Sequence, residues 1–220
     1  QQVSSAASDV YKRQEGDFPV VGLAHRLPLR DAVMVNGVLV HGLDFDDTHT
    51  TGVIHISGST VPTAFILAMA NAKTGYEALE AYLTGVETGS RLAKAAAGGI
   101  HANGFHTTGI IGAYGCAMVA GKLCDLTVNQ LTQAQGLVAS FGGATRAYHA
   151  NGAWAKRMHT GIAAVNGINA AMWARHGFTG PETIYEYEQG LYGCYAHGQE
   201  IDLDVVTKGL SLIHISEPTR

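Results

Sequence analysis

TTGIIGAYGCAMVAGKL, the stretch from Thr107 to Leu123, is where two fold classes part. Its glycines invite comparison with the phosphate-binding loop of a dinucleotide-binding sheet, but GIIGAYG lacks the G-x-G-x-x-G spacing and no strand pattern precedes it. Read as a helix, the same residues make sense. Gly109, Gly112 and Gly115 recur every three positions and line one side, where a neighbouring helix can approach closely. The segment therefore predicts helix-on-helix packing, and no cofactor-binding residues are expected.

Outward from this segment nearly every stretch reads as helix. Pro28 suits the first turn of a helix over Leu29 to Asp46, and Pro62 does the same for one reaching Lys73. Tyr76 to Ala97 carries Leu79, Tyr82, Leu83, Val86 and Leu92 close to helical spacing. Thr127 and Gln130 form a capping box opening a helix to Phe141, before Gly142 and Gly143. Thr160 to His176 is rich in alanine and ends at Gly177, and Pro181 starts a further short helix. No alternation lasts long enough to build a sheet, so the expected fold class is all-α, a helical bundle. The 28 glycines are costly in such a fold, at about 1 kcal/mol each against alanine inside a helix. Close helix contacts, or backbone approach to a ligand, must offset that.

The two ends read differently from the rest. Residues 3–14, VSSAASDVYKRQ, and 210–220, LSLIHISEPTR, resemble the translated arms of a sequencing-library adapter. DNA that encodes Asp9 to Gln14 on one strand can encode Leu210 to Ile215 on the other, as an inverted transposon end requires. The expected layout is 1–14 adapter-derived, 15–209 an incomplete helical domain, and 210–220 adapter-derived. Between 15 and 209 stand 11 basic and 16 acidic residues, a net charge of −5. With no basic stripe to hold a phosphate backbone, nucleic acid is not an expected partner. At 46% hydrophobic residues the chain can bury one sizeable core, and no apolar run reaches the roughly 20 residues of a membrane span. Cys116, Cys124 and Cys194 are too few and scattered for a disulfide scaffold or a metal site. They read as small buried hydrophobes in a reducing, cytoplasmic compartment.

Function concentrates in HGLDFDDTHTTGVIH, His41 to His55, which holds three carboxylates and three imidazoles in a chain only 15% charged. So many costly polar groups belong where they meet water, a ligand or each other. On a helix reaching Asp46, His41, Asp44 and Thr48 share one face, while Asp46 and Asp47 point elsewhere and read as capping or solvated groups. Carboxylates near a helix C-terminus oppose its dipole, so helix stability does not explain them. His55 lies just beyond in a loop with Gly52 and Gly58, free to swing against Asp44. An Asp–His pair of this kind suits proton transfer near neutral pH.

NGVLVHGLDFDDTH at Asn36 to His49 resembles the signature of the MmgE/PrpD family of 2-methylcitrate dehydratases, cis-aconitate decarboxylases and iminodisuccinate epimerases. GFHTTG at Gly104 to Gly109, AWAKRMHTGIAA at Ala153 to Ala164 and HGFTGPETIYE at His176 to Glu186 resemble further family blocks in the same order. The resemblance implies the large helical domain of that family, with a smaller α/β domain missing from this chain. It also implies a homodimer, a small di- or tricarboxylate substrate, and catalysis without cofactor or metal, unlike the iron–sulfur aconitases. By position it makes Asp44, Thr48, His55, His106 and Lys156 the catalytic set. This chain reads HIS at His55 to Ser57 where the family loop resembles HPS, so the backbone there is less constrained. Proton removal beside a carboxylate builds negative charge on it, and a fixed cation such as Lys156 favours that charge over the ground state. Dehydration, decarboxylation and epimerisation all follow from one such enolate-like intermediate. His159 reads as a structural partner of the Lys156 turn, and His101 and His149 as surface histidines.

Three rival functions stay open on sequence. Asp44, Asp46 and Thr48 spell DxDxT after an apolar run, as in haloacid-dehalogenase-like phosphatases, although the helical sequence downstream lacks the sheet that chemistry needs. A metal-dependent hydrolase would use His41, Asp44, Asp46, Thr48 and His49. A non-catalytic helical interaction module would keep the packing glycines and tolerate loss of the acid–base set.

Overall fold

The computed structural model describes residues 15–24 and 26–210. The readings of 1–14 and 211–220 as adapter lie outside those described residues. The chain opens with a minimal antiparallel pairing of β1 (Phe18–Pro19) and β2 (Arg26–Leu27), Phe18 facing Leu27. Helices follow: α1 (Leu29–Val40), α2 (Ser57–Ala70), α3 (Gly75–Ala95), the single turn α4 (Gly99–Ala102), α5 (Thr107–Leu123), α6 (Val128–Val138), α7 (Ala155–Arg175), and the short α8 (Leu191–Tyr195) and α9 (Asp204–Thr207). The fold is all-α. Among the described residues no helix is long and apolar enough to cross a membrane.

α5 is the hub, as its composition requires. Fifteen of its residues are buried, and α2, α3, α6 and α7 surround it. A Cβ built on Gly109 would fall 2.4 Å from Ala144 Cβ, on Gly112 2.8 Å from Ser59 Oγ, and on Gly115 2.8 Å from the Gly85 carbonyl. The three-residue rhythm therefore serves close helix contact. Of the cysteines, Cys116 and Cys124 are buried as expected, whereas Cys194 is exposed.

A second close crossing positions the functional residues. α1 meets α7 at Gly37, where a Cβ would sit 2.7 Å from Gly161 Cα, and Thr160 Oγ1 donates to the Gly37 carbonyl at 2.9 Å. That contact sets the end of α1 beside the start of α7. Backbone cannot yield as a flexible side chain can, so Gly37→Ala should cost about 2 kcal/mol. This corresponds to a thermal midpoint lower by about 4–8 °C. Gly42→Ala, where a new Cβ meets nothing within 4 Å, should stay within about 0.5 kcal/mol. Equal midpoints for the two variants, by calorimetry, would deny the crossing its role.

Several element boundaries depart from expectation. α1 stops at Val40 and a 3-10 turn follows over His41–Leu43, so no helix carries His41, Asp44 and Thr48 on one face. α2 begins at Ser57, leaving Pro62 inside the helix rather than in its first turn. α3 starts at Gly75 behind a capping box in which Thr74 Oγ1 accepts from the Glu77 N–H. α7 begins at Ala155, five residues ahead of the predicted Thr160. Pro181 opens turns, and the next helix is α8. The Thr127–Gln130 box is present as read, with Thr127 N–H donating to Gln130 Oε1 at 2.9 Å.

Candidate active site

Three helix ends converge on one cleft: the C-terminus of α1 and the N-termini of α5 and α7. The 3-10 turn after α1 closes with the Asp44 N–H on the His41 carbonyl, and Asp44 itself takes the left-handed conformation at φ 60°. Aspartate tolerates that region better than most residues. The kink turns Asp44 into a cleft of about 370 Å³ lined also by His41, Tyr148, His149, Trp154, Lys156 and Arg157. The second residue of α7, Lys156, meets it there, Nζ to Asp44 Oδ2 at 2.5 Å. Burial pushes the Asp44 carboxyl upward, but the Lys156 hydrogen bond and charge, with His41 and His55, outweigh this and hold it below its ordinary value.

Behind this ion pair lies a cluster of imidazoles. His41 is fully buried and its Nδ1 meets both carboxylate oxygens of Asp46 at 2.9 Å. An ionised carboxylate only accepts, so Nδ1 carries a hydrogen. The His41 Nε2 is buried without a hydrogen-bond partner, 3.6 Å from Asp44 Oδ1. His55 is placed by its backbone N–H on Thr108 Oγ1 in the first turn of α5, at 3.0 Å. Its Nδ1 lies 3.1 Å from the Asp47 carbonyl and 3.3 Å from Thr48 Oγ1, and its Nε2 is 3.8 Å from Asp44 Oδ1. The carbonyl again favours hydrogen on Nδ1. Two imidazole Nε2 atoms thus face Asp44 Oδ1, at 3.6 Å from His41 and 3.8 Å from His55, an arrangement through which protons can be exchanged.

Behind His41 lie two further buried imidazoles, His106 and His159. His106 is the residue before α5, buried, its ring stacked 5.8 Å from that of His41. Its Nδ1 lies 3.0 Å from Nδ1 of His159, which sits one turn beyond Lys156 on α7. Burial drives His106 down to about 2, with His159, His41, Lys156 and His55 adding repulsion. Burial, and then His41, lowers His159 to about 4. Both rings are neutral at physiological pH.

Asp44, Thr48, His55, His106 and Lys156 therefore belong to one connected group. Asp46 corrects expectation: its side chain is only 3% exposed and orients His41, whereas Asp47 does cap, its Oδ1 accepting the Ser57 N–H at 2.9 Å. His49 is turned away, bridging Ile54 and accepting the Gly52 N–H on Nδ1. His149 is exposed yet lines the cleft, and His101 is half-buried with Nδ1 unpartnered. Sequence reasoning gave His41 and Asp46 only to the metal-hydrolase and phosphatase alternatives, read His159 as a structural partner of the Lys156 turn, and missed Thr108. The three-residue step from Lys156 to His159 was the one available signal for His159 as a site residue.

His41, Asp44, Asp46 and His55 each offer a ligand atom within 4.8 Å of one another, which a divalent cation needs. Here the Lys156 ammonium already neutralises Asp44, so a cation would have to displace it. What the group does supply is imidazoles and one fixed positive charge at and behind a cleft open to solvent. Chemically, such a group can move protons beside a bound anion.

The sequence is similar to those of known enzymes. The chain is 34% identical over 180 residues to human (Homo sapiens) cis-aconitate decarboxylase, covering 78% of this chain and 36% of that protein. It is 28% identical over 182 residues to the cis-aconitate decarboxylase of Aspergillus terreus, covering 80% and 37%. A cis-aconitate decarboxylase-like protein of Aspergillus oryzae is 27% identical over 195 residues, covering 85% and 40%. The chain thus spans well under half the length of these relatives. The model of the MmgE/PrpD N-terminal domain matches residues 1–204, and the chain belongs to the MmgE/PrpD family.

Proposed function

We propose that this chain forms the helical part of a cofactor-independent lyase or isomerase that moves a proton alpha to a carboxylate of a small di- or tricarboxylate. A smaller α/β domain completes the cleft, and two copies pair in the working enzyme. The observation that carries this reading is the Lys156–Asp44 pair held beside the Nε2 atoms of His41 and His55, with the neutral His106 stacked behind His41. Lys156 binds a substrate carboxylate and takes up the charge that grows on it in the transition state. Among the family's reactions the curated relatives favour decarboxylation. The C–C bond to the departing carboxylate breaks and carbon dioxide leaves. Its electron pair delocalises onto a remaining carboxylate, and an imidazole N–H protonates the carbon.

The test is turnover by the full-length protein containing this chain on cis-aconitate, 2-methylcitrate and iminodisuccinate, followed by NMR of the products. Turnover of none of the three would sink the reading. The convergent cluster keeps a metal-dependent hydrolase as the alternative, and metal removal separates the two. Dialysis against a chelator should leave turnover unchanged within about twofold. Loss to the chelator and recovery on adding zinc would favour the hydrolase.

A further inference from the structure

Two neutral imidazoles joined Nδ1 to Nδ1 are not independent. At 3.0 Å, His106 and His159 share one hydrogen between those atoms, so one ring donates from Nδ1 and the other carries its hydrogen on Nε2. Fixing one tautomer fixes the other. The geometry is enforced from several sides. The His106 N–H donates to the Ala144 carbonyl at 2.7 Å, and His159 is carried on the first turns of α7. The Tyr148 ring lies 5.8 Å from one imidazole and 5.9 Å from the other. The ionisable groups facing the pair are His41, His55, Lys156 and Tyr148.

We propose that His159 is a positioning and relay residue for His106: the pair passes one proton from solvent to the cleft without either ring becoming charged. The inference rests on the proposed acid–base function and takes His106, stacked against the cleft-lining His41, as the imidazole that donates to carbon. In the step, His106 Nε2–H breaks as the new C–H bond forms. His159 Nδ1–H breaks as His106 Nδ1–H forms, and a solvent hydronium supplies the hydrogen that His159 gains on Nε2. Each ring begins and ends neutral, and the one proton that decarboxylation consumes comes from water. A lone His106 would have to become imidazolium first, which burial, the Lys156 ammonium and the N-terminus of α5 all oppose, or end as imidazolate.

Two measurements test this. In the 220-residue chain labelled with nitrogen-15 histidine, long-range proton–nitrogen spectra at neutral pH should show opposite tautomers for His106 and His159. The same tautomer in both rings overturns the pair. In the full-length enzyme, His159→Ala should lower kcat by at least about tenfold, leave KM within about threefold, and recover in part when free imidazole is added. His159→Asn, which keeps a hydrogen bond but cannot relay, should stay slow. Full activity in His159→Asn overturns the relay. Opposite tautomers without turnover on any of the three substrates would count against the functional reading, whereas turnover with matching tautomers would count against the relay.

Discussion

Replacing Lys156 with alanine lowers kcat by at least about tenfold in the enzyme that contains this helical domain, while the fold survives. The expectation follows from position. Lys156 Nζ contacts Asp44 Oδ2 at 2.5 Å, with the lysine side chain 24% exposed and the carboxylate 50% exposed. So exposed a pair adds little to stability, under about 1 kcal/mol, and the thermal midpoint should barely move. Its catalytic part is larger, because a preorganised charge aimed at a developing anion commonly accounts for about 10²–10³ in rate. Removing the ammonium also leaves Asp44 to repel a polycarboxylate, so KM should rise. The Asp44 carboxyl should in turn titrate at higher pH, an effect visible by carbon-13 NMR in this chain without any substrate. Lys156→Arg keeps the charge and should recover part of the rate. An unchanged kcat in Lys156→Ala would remove this residue from the site.

The parts of the molecule legible in the sequence are those decided by local spacing. The hub α5 was readable over its whole length, because three glycines three apart have one economical use in an apolar helix. The Thr127–Gln130 box was readable because both partners lie within one turn. The end of α1 was not. The apolar pattern continues through Leu43 and Phe45, yet these are 76% and 90% exposed, because Asp44 takes a left-handed kink that no spacing announces. Burial of Asp46 escaped for a related reason. A carboxylate that deep requires a partner, and that partner, His41, is brought to it by the 3-10 turn. The early start of α7 has no side-chain cap to mark it, and its first turns carry both Lys156 and His159. Of the candidate site, local spacing in the sequence marked residue types suited to acid–base chemistry. Distant contacts determine which of them touch.

Acid should unfold this domain steeply between about pH 6.5 and pH 4, and the slope should belong to the two paired histidines. His106 and His159 have folded values lowered to about 2 and about 4, against an ordinary 6.5 in the unfolded chain. Above pH 6.5 both rings are neutral in both states and contribute no pH dependence. As pH falls below that, the unfolded chain takes up two protons that the folded domain refuses, so stability drops. The limit is about 1.4 kcal/mol per pH unit for each ring, and solvent reaching the cleft makes the real slope shallower. The refusal is physical: burial strips water from a charged ring, and its neighbours repel it, chiefly His159, His41 and Lys156 for His106, and His41 for His159. In His106→Asn the remaining ring loses its imidazole neighbour and the slope of stability against pH should fall to about half or less. The measurement is urea unfolding of the wild-type chain and the variant at half-unit steps across this window. A stability that stays flat from pH 6.5 to 4 would mean that the folded pair accepts a proton readily, and a site that accepts a proton so easily would have no need to pass it between neutral rings.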